Sequence, residues 1–265
     1  MGYYTFNQGY IGNNTPVIIS NNLQLLGNAT SLSAGPTGVF KVLLASPDSV
    51  AWVQDVATSL TNSAYKYPDI TLQITQVSAV DTLPTVTVGQ YDAILFWSDA
   101  NVSWNSSFDT HSANNGGLVT GQFFASTGIT GITSNLMPTV NKSGGQAGGI
   151  ITWPAGPYAH PIANGADSNT QKVSSFVSAV SGGGYAAVSP TLSTGAATVI
   201  TSVEGSTKPF VVVRDPSPPN GRTVFLNFFP VSNRSGGFST GWNPSIYPDG
   251  GLLLLNALLW SARKL

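Results

Sequence analysis

Cysteine is absent from this chain of 265 residues, and charge is nearly so: Asp, Glu, Lys and Arg together make up 8%. Among the 11 acids only Glu204 is a glutamate, and there are 2 histidines and 2 methionines. Without cysteine there are no disulfides, no thiolate metal ligands and no cysteine nucleophile, while the compartment stays open because such a chain is indifferent to redox poise. Ten Lys+Arg against 11 acids, a net charge of −1 and no basic cluster cannot supply the cationic field that nucleic-acid binding needs. Nucleic acid is therefore excluded as a partner. One Glu and two His leave too few ligands for a metal site, so no metal is expected. Gly144-Gly145 and Gly182-Gly183-Gly184 do not sit between a strand and a helix as a phosphate loop must, and no cofactor is expected. No stretch reaches the 18 apolar residues of a membrane span. The start, Met1-Gly2-Tyr3-Tyr4-Thr5, lacks the basic and apolar regions of a signal peptide.

What is present is apolar and hydroxylic. Hydrophobic residues make up 42%, with 12 Phe, 9 Tyr and 6 Trp, which is enough apolar material to fold. An ordinary globular surface draws on about 25% charged residues. Here 31 Ser, 26 Thr and 20 Asn take that place, so the solvated face is built from hydroxyls and amides. Six Asn-x-Ser/Thr sequons begin at Asn13, Asn28, Asn101, Asn105, Asn141 and Asn233, but in a chain this rich in Asn, Ser and Thr many arise by chance, so they are a weak signal for glycosylation.

Residues 1–37 are rich in Asn, Gly, Ser and Thr and read as an N-terminal arm, with short strands at Val17 to Ile19 and Leu23 to Leu26. Residues 38–265 read as one domain. Val39 to Ala45 is an unbroken apolar run, the pattern of a strand buried on both faces of a parallel sheet. Val50, Val53, Val56, Ala57, Leu60 and Ala64 then recur at helical spacing, which predicts a helix over Ser49 to Tyr65. Ile70 to Val77 alternates and reads as a strand nearer an edge. Tyr91 to Trp97 repeats the buried type, and Gly116 to Phe124 predicts a fourth strand. Between them, Asn101 to Asn115 offers only Val102, Trp104 and Phe108 as apolar anchors, enough for a short helix.

Thr127 to Pro157 reads as a long loop of the kind that is functional or inserted. Further on, a helix is expected around Gln171 to Val180, with strands at Tyr185 to Val188, Ala197 to Val203, Pro209 to Arg214 and Gly221 to Phe229. Asn220-Gly221 would make the tight turn between the last two. The closing helix, Asp249 to Ala262, is apolar all round and should be buried. Strands alternating with helical patterns, followed by a hairpin, predict an α/β fold with a mostly parallel sheet and antiparallel edge strands.

Six segments in this order resemble the class I glutamine-amidotransferase-like superfamily, in its trehalose-utilisation (ThuA-like) branch. They are Lys41-Val42-Leu43-Leu44, Tyr91 to Leu95, Gly116 to Val119, His160-Pro161-Ile162, Gly221 to Asn227 and Leu254 to Trp260, spanning about Val39 to Ala262. The resemblance implies a flavodoxin-like three-layer sandwich with ligands at the carboxyl ends of the strands. It also implies a cysteine on a sharp turn after the fourth strand. Phe123, or Gln122 beside it, stands at that position here, and neither side chain can attack a carbonyl.

His160 is the feature of the ThuA-like branch that persists. It is a candidate acid/base or sugar-contacting group, against the reading that a His before Pro is held extended and bonds its own loop. His111 lies near Asp109, a pairing more often found in turns. Asp48 and Asp99 follow strand ends, where as paired acids they could bind a metal or, with His160, catalyse hydrolysis, against the reading that each caps the next helix. Tyr3, Tyr4, Phe6 and Tyr10 on the arm are candidate anchors for a partner, as exposed aromatics often are, against the equal reading that they fold back onto the same domain.

Two functions follow. The favoured one is a catalytically silent amidotransferase-like domain, a pseudoenzyme, used as a structural or binding subunit of an extracellular or virion-like assembly. Its partners would be copies of itself or other subunits, since an uncharged surface associates without desolvating charge. The alternative is a ThuA-like enzyme acting on a sugar derivative, with a carbohydrate as its ligand.

Overall fold

The unbroken apolar runs form the interior of one seven-stranded sheet. The computed structural model describes residues 10–11, 15–16, 35–98, 102–121, 139–140, 149–151, 160–173, 176–178, 190–191, 197–202, 209–227, 229–234, 237, 241–245 and 248–265. The sheet strands are β1 (Gly38–Ala45), β2 (Ile70–Val77), β3 (Ala93–Phe96), β4 (Gly117–Thr120), β5 (Ala197–Ser202), β6 (Pro209–Arg214) and β7 (Thr223–Leu226). Their order is β2-β1-β3-β4-β7-β6-β5. The first five are mutually parallel, and β6 and β5 extend the sheet with antiparallel pairings. The parallel part thus has the flavodoxin-like order, whose direction of winding reverses between β1 and β3. The α/β class, the mostly parallel sheet and the antiparallel edge are as expected.

Successive side chains on a strand point to opposite faces, and both faces are covered. Phe40, Val42, Leu44, Ala93, Leu95 and Val119 belong to the core shared with helices α1 (Val50–Ser63) and α4 (Asp249–Ser261). Leu43, Ala45, Ile94, Phe96, Leu118 and Phe225 belong to the core on the other face, with Val102, Trp104 and Phe108. Trp104 meets Phe96 and Phe108 edge to face at 5.6 and 5.3 Å. The three anchors read from the polar 101–115 segment therefore form this second layer, and α2 (Ser107–Ala113) is a seven-residue helix. α3 (Pro161–Asn164) is a single turn.

α1 begins at Ser49, whose hydroxyl accepts the Trp52 N–H at 3.4 Å. It buries Val53, Val56, Ala57 and Leu60. α4 is buried from Gly250 to Ser261, because α1, α3 and the sheet surround it. One polar side chain inside α4 is fully used: the Asn256 amide donates to the Ile162 and Gln171 carbonyls at 3.1 Å each and accepts from the Tyr67 hydroxyl.

Met1–Ala34 and Gly35–Leu265 are separate compact units. In the first, Tyr10–Ile11 pairs antiparallel with Thr15–Pro16. The strands expected at Val17 to Ile19, Leu23 to Leu26 and Tyr185 to Val188 lie outside the described residues. Among the described residues no helix is long and apolar enough to cross a membrane.

Three local expectations are corrected. Gln171 to Val180 does not form the expected helix. The Gln171 side chain accepts the Ala166 and Asp167 N–H groups at 2.7 and 2.8 Å, Val173 N–H bonds Ala163, and Phe176–Ser178 pairs as a strand with Gly149–Ile151. These groups satisfy tertiary partners that a helix would have denied them. Thr127 to Pro157 is not wholly loop, since Thr139–Val140 and Gly149–Ile151 are strands. The β6–β7 connection is longer than a two-residue turn, running from Asp215 to Arg222 with a turn at Ser217 to Asn220. Gly221 serves another purpose there: a Cβ on it would lie 2.0 Å from the Gly116 carbonyl oxygen, so glycine permits close approach of two backbones.

Candidate functional site

The carboxyl ends of β1, β3, β4 and β7 carry a row of buried polar side chains. Ser46, Ser98, Thr120 and Asn227 have no exposed surface, and Asp48 is buried beside them in sequence. The Ser46 hydroxyl accepts the Asp48 N–H at 3.1 Å, which bends the chain sharply after β1. The Asp48 carbonyl accepts the Ala79 N–H at 2.8 Å, tying that bend to the end of β2. Ser49 caps α1, so Asp48 is not the cap it was expected to be; it stands one residue too early for its carboxylate to take that place. Ser46 and Ser98 flank the β1/β3 switch point, where sheets of this winding take their ligands. The described rim therefore offers hydroxyls, an amide and one carboxylate.

Neither histidine is at this rim. His160 is extended (φ −89°, ψ 124°), as a residue before proline should be, and its Nδ1 accepts the Ile162 N–H at 3.3 Å to cap α3. Its ring lies 5.0 Å from the Trp260 ring, and the Arg222 guanidinium stacks 4.5 Å from the same indole. Arg222 immediately precedes β7, so the cluster belongs to the amino ends of the strands. The register makes this explicit: Thr223 is level with Leu118, Gly117 with Ala93, and Ala93 with Val42. Asp48 lies beyond Ser46, and the four steps from Val42 to Ser46 alone rise about 13 Å. The structure therefore does not bring His160 and Asp48 together, and a water-bridged contact between them is out of reach.

His111 is also at the amino ends, its Nε2 3.2 Å from the Gly117 carbonyl oxygen at the start of β4. Burial lowers the His111 pKa, against the opposing pull of the Gly117 carbonyl and Asp92. Burial first, and the Arg222 charge second, bring His160 down to about 4, with Asp215 opposing. Asp109 is not the partner of His111; its carboxylate accepts the Trp104 indole N–H at 3.2 Å.

Asp99 lies outside the described residues, as do Gln122 and Phe123, which the amidotransferase resemblance aligns with a nucleophile. On the arm, Tyr3, Tyr4 and Phe6 lie outside them too, and Tyr10 begins a two-residue strand. Among the described residues no group of three or more His, Cys, Asp or Glu could hold a metal ion.

A second concave site was not expected from the sequence. Asp55 on α1, nearly inaccessible, accepts the Ser232 N–H at 2.6 Å, the Ser232 hydroxyl at 2.7 Å and Arg234 Nη1 at 3.1 Å. Arg234 Nη1 also reaches the Ser59 hydroxyl at 3.3 Å. Beside this anchor lies a cavity of about 310 Å³, lined among others by Ser63, Tyr65, Lys66, Arg234, Trp242 and Asp249. The signal in the sequence is the polar stripe Asp55, Ser59, Ser63 at i, i+4, i+8, running beside the apolar stripe of α1.

No protein-family profile matches the chain, and no curated protein does. Among solved structures it is similar to one described as that of a ThuA-like protein from Parabacteroides merdae ATCC 43184, with 14% identity over 85% of this chain and 90% of the other and a TM-score of 0.46. It is also similar to the carbohydrate deacetylase Agd3, with 9% identity over 73% of this chain and 30% of the other and a TM-score of 0.37.

Proposed function

We propose that the chain is a non-catalytic α/β subunit of a larger assembly, extracellular or virion-like, in which an amidotransferase-like fold is retained for its shape and its contacts. One observation supports this most: the chain has two histidines, and both belong to the amino ends of the parallel strands, away from the rim where this fold takes ligands. With both histidines at the other end of the strands, no imidazole base stands beside the rim hydroxyls, and there is no cysteine to act as nucleophile in their place. At the rim the Ser46 hydroxyl accepts the Asp48 N–H and the Thr120 hydroxyl donates to the Val224 carbonyl, so these two groups serve the surrounding backbone. The low charge adds support, since surfaces of hydroxyls and amides meet without stripping water from ions.

The test is the size of the purified protein and of its native complex. Sedimentation velocity should show self-association, or the protein should co-purify with a particle, and His160→Ala should leave this unchanged. A stable monomer that co-purifies with nothing overturns the proposal.

A further inference from the structure

We infer that β2 is the surface through which the chain meets a second copy, the two β2 strands pairing antiparallel about Gln73 to form one continuous sheet. The inference rests on the assembly reading and gives that reading a specific interface.

β2 pairs with β1 along all eight of its residues, and among the described residues nothing pairs with its other side. An outer row of backbone N–H and C=O groups is a template for another strand unless the edge is protected. Ile70-Thr71-Leu72-Gln73-Ile74-Thr75-Gln76-Val77 itself lacks three of the usual protections: it has no charged residue, no proline and no shift of register against β1. The opposite edge of the sheet is built differently, since β5 carries two register shifts against β6. Such irregularities twist an edge away from partners.

The side chains of β2 are divided between its faces. Thr71, Gln73 and Thr75 are exposed, whereas Ile70, Leu72 and Ile74 are only half-covered. α1 leaves a groove of about 340 Å³ beside them, lined by Gln54, Thr58, Thr61, Leu72, Ile74 and Gln76 among others and by no charged residue. The half-covered apolar face would be completed by more apolar side chains on the same face of an added strand.

A second β2 supplies them. Antiparallel pairing about Gln73 sets Leu72 opposite Ile74, Thr71 opposite Thr75, Gln73 opposite itself, and Ile70 opposite Gln76. This register sets Leu72 against Ile74 at the centre of the α1 face, with Ile70 against the Gln76 amide at its ends, and hydroxyl against hydroxyl on the other face, as a period of two requires. Because the pairing is two-fold, every contact except the central Gln73 pair occurs twice. An acidic or basic peptide would gain no ion pair from an edge and groove without ionisable groups, so charge favours a copy of this strand over such a partner. A strip about 26 Å long covers well under the ~800 Å² per partner of a standard interface. The pairing is therefore weak in free solution and gains strength where an assembly holds many copies close together.

The experiment is sedimentation equilibrium of the full chain over rising concentration. The wild type should shift from monomer to dimer. Thr71→Lys with Thr75→Lys, at two exposed positions and with folding checked by circular dichroism, sets like charges opposite each other at both Thr71–Thr75 contacts. It should weaken association about tenfold or more. Thr71→Lys with Thr75→Glu sets opposite charges at the same contacts and should restore it. Association that is unchanged in the double-lysine variant overturns the β2 interface while leaving the assembly reading intact. Failure of the Lys/Glu variant to recover overturns the pairing about Gln73. A wild type that is monomeric throughout and bound to no particle overturns both the interface and the assembly reading.

Discussion

The Asp55 carboxylate accepts Arg234 Nη1 at 3.1 Å, joining helix α1 to the segment after β7 across 179 positions of the chain. The two ends differ in burial: the Asp55 side chain is 2% exposed and that of Arg234 30%. Asp55 also has two short bonds from Ser232, so it is the member of the pair whose loss strands other groups. Asp55→Ala should destabilise by about 3 to 5 kcal/mol. Arg234→Ala should cost less, because the carboxylate keeps its Ser232 donors. Urea unfolding of both single variants and the double variant should give a double-variant cost smaller than the sum; strict additivity would show that the bridge carries no coupling.

Asn256 stands in a run of leucines, and its replacement by one of them tests whether its bonds or its volume matter. Asn256→Leu leaves the Tyr67 hydroxyl and the Ile162 and Gln171 carbonyls without this partner inside the protein. The expected cost is about 3 kcal/mol, which lowers the melting temperature by about 10 °C in a chain of this size. A thermal melt followed by circular dichroism checks this. An unchanged melting temperature would mean that the three groups find other partners.

His160 gives stability a pH dependence of defined sign. Its pKa is about 4 in the folded chain against an ordinary value of 6.5, so between these values the unfolded chain binds the additional proton. Stability is thus fully present above pH 6.5 and is lost as pH falls towards 4, by on the order of 2 kcal/mol after allowance for its partial exposure. His111, also lowered, adds in the same direction. His160→Asn keeps a side-chain acceptor at the cap of α3 and should flatten the dependence without abolishing it. Denaturant midpoints measured across this pH range decide the matter, and an identical slope in the variant would remove His160 as a source.

Much of the layout was legible because it depends on local pattern. Val39 to Ala45 and Tyr91 to Trp97 are apolar without interruption, and β1 and β3 prove to be interior strands. Ile70 to Val77 alternates, and β2 is the edge. The leucines all round Asp249 to Ala262 announced a helix with no solvent face. Gln171 to Val180 misled because its polar groups are satisfied by residues far from helical spacing, which a periodicity cannot register. The site was less legible: His160-Pro161-Ile162 suggested a ligand crevice, whereas its ring packs on Trp260 next to Arg222.

The amino-acid sequence by itself determined the α/β class, the buried and the edge strands, and the absence of cysteine chemistry. These follow from periodicity and composition, which act within a few residues or over the whole chain. Only the tertiary structure decided that His160 and Asp48 belong to opposite ends of the sheet, that Asp55 meets Arg234, and that β2 is an uncharged outer strand with which, among the described residues, only β1 pairs. Those are relationships between residues far apart in the chain, set by the strand order and by which end of each strand a loop leaves. Burial and pairing arise there from packing that no local pattern encodes.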